Sequence, residues 1–170
     1  AEGSTTIYAD SALGEAYLSG NTGAHSTLSV NEAWSYAGVS SNEDVNVTVH
    51  GGEGTDTIYV NALDGYKLTA DLRLGDTFAS DSYLYAEKSG SIEATVTGGS
   101  GVDNVYVADE GGSATVTVTG VEKVDASYAE GSTTIYADSA LGEAYLSGNT
   151  GAHSTLSVNE AWSYAGVSSN

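Results

Sequence analysis

Two stretches of the chain carry residue types suited to cation chemistry. They are Gly51-Gly52-Glu53-Gly54-Thr55-Asp56-Thr57-Ile58-Tyr59 and Gly98-Gly99-Ser100-Gly101-Val102-Asp103-Asn104-Val105-Tyr106. Both have three glycines, an Asp, and a large apolar residue two positions after it. Glycine reaches turn geometries closed to other residues, so peptide carbonyls can converge on one point. The Asp adds a charged oxygen, and the apolar residue anchors the turn to a core. A hard divalent cation takes roughly six to eight such oxygens at flexible geometry. The plainer reading is that Gly and Asp are good turn formers. Catalysis has less to work with. There is no Cys, and spacing alone places none of the three histidines, His25, His50 and His153, against a nucleophile in space. Lys67, Arg73, Lys88 and Lys123 are scattered. No catalytic residue is assigned, and the chain is not read as an enzyme.

The elements that must hold these turns are short strands. A small-polar, then apolar-polar-apolar pattern begins at Thr5, Ser26, Asp56, Ser82, Asp103 and Thr133. Each interval between these starts has a second alternating run, as in Val45-Asn46-Val47-Thr48-Val49 and Ala114-Thr115-Val116-Thr117-Val118. Period-two alternation in β-branched and aromatic residues predicts strands, and Gly, Ser, Asn and Asp clusters between them predict turns. No stretch has a helical period. The expected fold is all-β: a parallel β-solenoid of the β-helix or β-roll kind. Ile7, Leu28, Ile58, Leu84 and Val105 are expected in one inward column. The two longest intervals, from Ser26 to Asp56 and from Asp103 to Thr133, carry extra segments at 32–39 and 121–128. Each is expected to be a third short strand or a surface loop.

A longer repeat encloses the shorter one. Residues 1–42 recur without a difference at 129–170. The expectation is a tandem array with about five rungs per unit. Residues 1–128 are one unit and 129–170 start the next, continuous with it. Residue 1 is not Met and neither end reads as a cap, so a window on a longer chain is expected. One rung cannot bury its inner face alone, so stability must come from stacking.

The two glycine-aspartate stretches fit G-G-x-G-x-D-x-U-x, where U is a large apolar residue. In this they resemble the RTX calcium-binding repeats of secreted bacterial proteins. The match covers those two stretches alone, and they lie two rungs apart instead of in close tandem. The segment Leu74-Gly75-Asp76-Thr77-Phe78-Ala79-Ser80-Asp81 lies between them, off-pattern but with two carboxylates. The resemblance implies Ca²⁺ at stacked turns. The candidate ligand set is Gly51, Gly52, Glu53, Gly54, Asp56, Asp76, Asp81, Gly98, Gly99, Gly101 and Asp103. The segment Val121-Glu122-Lys123-Val124-Asp125-Ala126-Ser127 also resembles repeats of RTX-containing surface-layer and adhesin proteins.

Composition narrows the partners. The 170 residues include 23 Asp+Glu against 4 Lys+Arg, a net charge of -19. Four cations cannot hold a phosphate backbone against that charge, so nucleic acid is not expected. No apolar run approaches the roughly 20 residues of a membrane span. Hydrophobic residues make up 40% of the chain, enough to bury a core and argue against disorder. The carboxylates call for bound or condensed cations, or else splay into solvent and keep a fibre soluble. Tyr8, Tyr59, Tyr85, Tyr106 and Tyr136 fall at one position of the pattern, interrupted by Ser29, and predict an outward tyrosine column. Its plain use is a packing ladder. Its functional use, with Trp34 and Tyr36, is a contact face, because tyrosine is favoured at interfaces. The Thr rows around Thr95 and Thr117 are too short for an ice-binding face.

The function expected is structural. The chain would be a repeat of a long secreted bacterial surface or matrix protein, a calcium-stiffened rod or fibre such as an adhesin shaft or biofilm fibre. Its partners would be copies of itself, and its place extracellular or at the cell surface. The alternatives are a surface-layer lattice and a calcium-dependent module that binds a glycan.

Overall fold

The computed structural model describes residues 5–9, 15–20, 25–30, 34–41, 45–50, 55–62, 64–74, 79–137, 142–148, 153–158 and 164–169. Side chains are described at 48–49 and, between residues 57 and 157, for most of these. The strands are β1 (Thr5–Ala9), β2 (Glu15–Gly20), β3 (His25–Val30), β4 (Trp34–Ser41), β5 (Val45–His50) and β6 (Thr55–Ala62). They continue with β7 (Lys67–Arg73), β8 (Asp81–Ala86), β9 (Ser91–Thr97), β10 (Asn104–Asp109) and β11 (Ser113–Thr119). The last are β12 (Lys123–Ala129), β13 (Ser132–Ala137), β14 (Glu143–Gly148), β15 (His153–Val158) and β16 (Tyr164–Ser169).

The odd-numbered strands form one eight-stranded sheet in sequence order, and the even-numbered strands form the other. Every pairing is parallel, as between β7 and β9 or β8 and β10. This is the expected all-β parallel solenoid, and each coil lays one strand in each sheet. His25 pairs with Asn46, Lys67 with Ser91 and Ser113 with Ser132, so each of these pairs marks one full turn of the coil. β1 to β12 fall within residues 1–129, which makes six coils per repeat. The pattern of starts implies about five because its two longest intervals each step over a whole strand. Those extra segments are β4 and β12, full members of the second sheet. One consequence is that the expected inward column divides. Ile7 and Leu28 pair in the first sheet, while Ile58 and Val105 both pair with Ser82 in the second. Leu84 lies one step along, between Val60 and Val107. The two sheets carry the same alternation, so pattern alone does not tell one from the other.

Alternation sets which residues enter the core. β7, β9 and β11 each place three buried residues between exposed or half-exposed ones. Parallel, in-register stacking repeats those positions coil after coil. Val49, Leu72, Val96 and Val118 make one buried column, continued by Ala137. Opposite them, Val60, Leu84 and Val107 line the second sheet. Fully burying a side chain of this size contributes about 1.5–3 kcal/mol. No single coil closes that core, so the contribution appears only when coils stack.

Candidate functional site

The turn from β9 to β10 is the glycine-aspartate motif with described side chains. Asp103 is fully buried at the mouth of the turn. Its Oδ2 accepts a hydrogen bond from Gly99 N at 2.7 Å, within its own turn. Its Oδ1 accepts from Ser80 N at 3.1 Å, one coil earlier. Its own N–H donates to Glu122 Oε2 at 2.8 Å, one coil later, and its carbonyl accepts from Glu122 N and Lys123 N at 3.2 Å. One residue therefore ties three coils. The first motif glycine has a steric reason. A Cβ on Gly98 would meet the Gly120 carbonyl of the next coil and lie 2.6 Å from Asp103 Oδ2. Gly98 N meanwhile donates to Thr119 O at 2.8 Å. The glycine lets the coils close up.

The opposite edge has a counterpart outside the expected calcium set. Asp109, at the end of β10, is also fully buried. Its Oδ1 accepts from Gly111 N at 3.3 Å and from Gly131 N of the next coil, and its Oδ2 accepts from Thr133 Oγ1 at 2.7 Å. The available cue was an Asp at a position where neighbouring coils carry Ala62, Ala86 and Ala129, all buried.

Of the expected calcium cluster, Asp81 and Asp103 have described side chains. Alternation sends them to opposite faces: Asp103 is buried, and half-buried Asp81 accepts from Asn104 Nδ2 at 2.8 Å. Gly51, Gly52, Glu53, Gly54 and Asp76 lie outside the described residues, as does the side chain of Asp56, which sits in β6 beside Ser35 of β4. Gly99 uses its N–H on Asp103, and Gly101 is half-buried in the same turn. Carboxylates and peptide carbonyls are the hard donors Ca²⁺ takes. Among the described residues, however, no three His, Cys, Asp or Glu side chains come together as a metal site. Both Asp103 oxygens already face N–H donors.

The outer face of the second sheet is aromatic. Tyr59, Tyr83 and Tyr106 stand in register on β6, β8 and β10. Their rings stack with centroids 4.6 and 4.8 Å apart and planes within 9°. Burial pushes the Tyr83 hydroxyl above its ordinary pKa, with Asp81 adding to the shift. In the next coil Asp125 holds the register position between Tyr106 and Tyr145, and the Lys123 ammonium reaches in from two residues away, 5.9 Å from the Tyr106 ring centre and 5.5 Å from that of Tyr145. The expected column is therefore redrawn. Tyr83 continues the stack, and Tyr85 stands in the neighbouring column with Asn61 and Ala108. Tyr8 lies on β1 and Tyr136 on β13, both in the first sheet. Trp34 and Tyr36 lie on β4, paired with Thr55 and Thr57, and their side chains are outside the described residues.

Tyr85 hydrogen-bonds to Glu110, which is the main reason its hydroxyl is pushed up to about 12; desolvation and the charges of Glu110, Glu87 and Glu130 add to it. These three glutamates occupy the same turn position in successive coils. Their N–H groups donate to Ala62, Ala86 and Asp109 carbonyls at 2.9, 3.0 and 2.9 Å.

The chain matches no family model, no curated protein and no solved structure. The geometry stands without a relative to interpret it.

Proposed function

We propose that the chain is a segment of a long structural rod, part of a secreted bacterial surface or matrix protein such as an adhesin shaft or biofilm fibre. The observation that carries the reading is continuity through the sequence repeat. β13 and β14 repeat the sequences of β1 and β2, and they pair with β11 and β12 of the preceding unit in unbroken parallel ladders. A unit that stacks directly on its copy can be extended indefinitely. The glycan-binding alternative is less well supported, because stacking turns the ring faces of Tyr59, Tyr83 and Tyr106 toward one another.

Calcium belongs to the proposal through the two glycine-aspartate turns and the net charge of -15 on residues 1–128. Extracellular Ca²⁺ would lower the repulsion between coils and stiffen the rod. The test is a thermal melt followed by far-ultraviolet circular dichroism, in EDTA and then in millimolar CaCl₂, with electron microscopy of arrays of several units. The proposal expects unbranched rods from the arrays and a higher melting temperature in Ca²⁺, since a ligand of the folded state stabilises by mass action. An unchanged melt removes calcium and leaves the rod. Two-dimensional sheets would favour a surface-layer lattice, and compact unstacked particles would overturn the rod.

A further inference from the structure

Two outward columns run side by side on the second sheet, and one has a gap. The first holds Tyr59, Tyr83 and Tyr106 in consecutive coils. The second runs Asn61, Tyr85, Ala108, Tyr128. Ala108 offers only a methyl group where a ring would continue the series. Tyr85 and Tyr128 stand two ladder steps apart, about 9.6 Å. A flat ring midway between them would lie about 4.8 Å from each, the separation at which the neighbouring tyrosines stack. The gap opens into a groove of about 370 Å³, with Tyr85, Tyr106, Ala108, Asp125 and Tyr128 among its walls.

A backbone irregularity forms one wall. The β10–β12 ladder shifts register between Tyr106 and Ala108. Ser127 and Tyr128 consequently both face outward, between buried Ala126 and Ala129. Bulges of this kind re-aim a side chain. Here the result is a Tyr128 that is 79% exposed beside an open position. The bulge is braced by Asp125, whose Oδ1 accepts from Ser127 N at 3.0 Å and Ser127 Oγ at 2.6 Å.

Charge selects the occupant. Glu87, Glu110 and Glu130 gather around Tyr85, and Asp125 lies on the wall. The nearby cation, Lys123, lies over the rings of Tyr106 and Tyr145. A second copy of the chain would bring a further net charge of -19 to this face. We propose that the Tyr85–Ala108–Tyr128 groove binds a flat aromatic ring bearing a positive charge, stacked in the place that Ala108 leaves open. The site needs three consecutive coils and does not depend on the rod reading.

The probe is thioflavin T, a planar cationic dye, titrated into the full chain at low salt and followed by fluorescence. The proposal expects saturable binding at about one dye per chain. Ala108→Tyr completes the column and abolishes binding with the circular dichroism spectrum unchanged. Tyr128→Ala removes one stacking face and weakens binding by about tenfold. Glu110→Gln with Glu130→Gln weakens it and flattens its salt dependence. The anionic dye anilinonaphthalene sulfonate does not compete. Wild-type affinity in folded Ala108→Tyr overturns the proposal, and so does equal binding of the anionic dye. If Ala108→Tyr fails to fold, unchanged affinity in Tyr128→Ala overturns it alone. A concentration-dependent dimer that Tyr128→Ala dissolves in sedimentation would assign the groove to a second copy and overturn the cationic ligand.

Discussion

A buried carboxylate is costly unless donors surround it. Asp103 and Asp109 find their donors in backbone N–H groups and a threonine hydroxyl of their own and neighbouring coils. Asp103→Ala strands the Gly99 and Ser80 donors and should cost about 3 kcal/mol. Chemical denaturation measures the loss, which is expected in EDTA as well as in Ca²⁺ because the staple is made of hydrogen bonds. A loss seen only with Ca²⁺ would mean that the turn is held by the metal. The alkaline limit belongs to Tyr85. Its folded pKa is raised to about 12 from 10.0 by the bond to Glu110, so the neutral form is favoured in the folded chain. The folded state holds more protons than the unfolded one between those values, so this contribution is complete below pH 10 and lost as pH rises toward 12. Phenolate absorbance should show Tyr85 ionising among the last, and Glu110→Ala should bring it down toward 10. Asp103 was legible as a turn residue, because its motif is local. Its partners Ser80 and Glu122, and the Gly131 and Thr133 partners of Asp109, come from stacking, which a linear pattern does not display.

At the scale of the strand, alternation carried the fold. β6, β8 and β10 each coincide with an expected strand, because each shows apolar residues at every second position between turn formers. The coil count was harder to read. β4 contains Ala37-Gly38-Val39 and β12 contains Asp125-Ala126-Ser127, weak alternations of small residues that fit either a short strand or a loop from sequence alone. Their pairing with β6 and β10 shows them to be strands. The buried columns give a paired test. Leu84 is buried between Val60 and Val107, so Leu84→Ala should cost about 2–5 kcal/mol. Ser82, on the same strand, buries a hydroxyl that has no hydrogen-bond partner. Ser82→Ala should therefore be neutral or stabilising by up to about 1 kcal/mol. Urea midpoints of the two variants decide the matter. A destabilised Ser82→Ala would mean that its hydroxyl is satisfied in solution.

Across the whole molecule, stacking has to overcome charge. Residues 1–128 carry a net charge of -15, and the described ion pairs are Lys67 with Glu93 and Arg73 with Asp71, both exposed and worth little. The apolar columns, the in-register backbone ladders and the aspartate staples do the holding. If they do, copies of the unit add length and nothing else. Six ladder steps separate β1 from its repeat β13, so each further unit should lengthen the particle by about 29 Å. Small-angle X-ray scattering from chains of one, two and three units measures this directly. Equal increments near that value, at a constant cross-sectional radius, are the expected result. A cross-section that grows with copy number, or increments that depart from the six-step length, would contradict it.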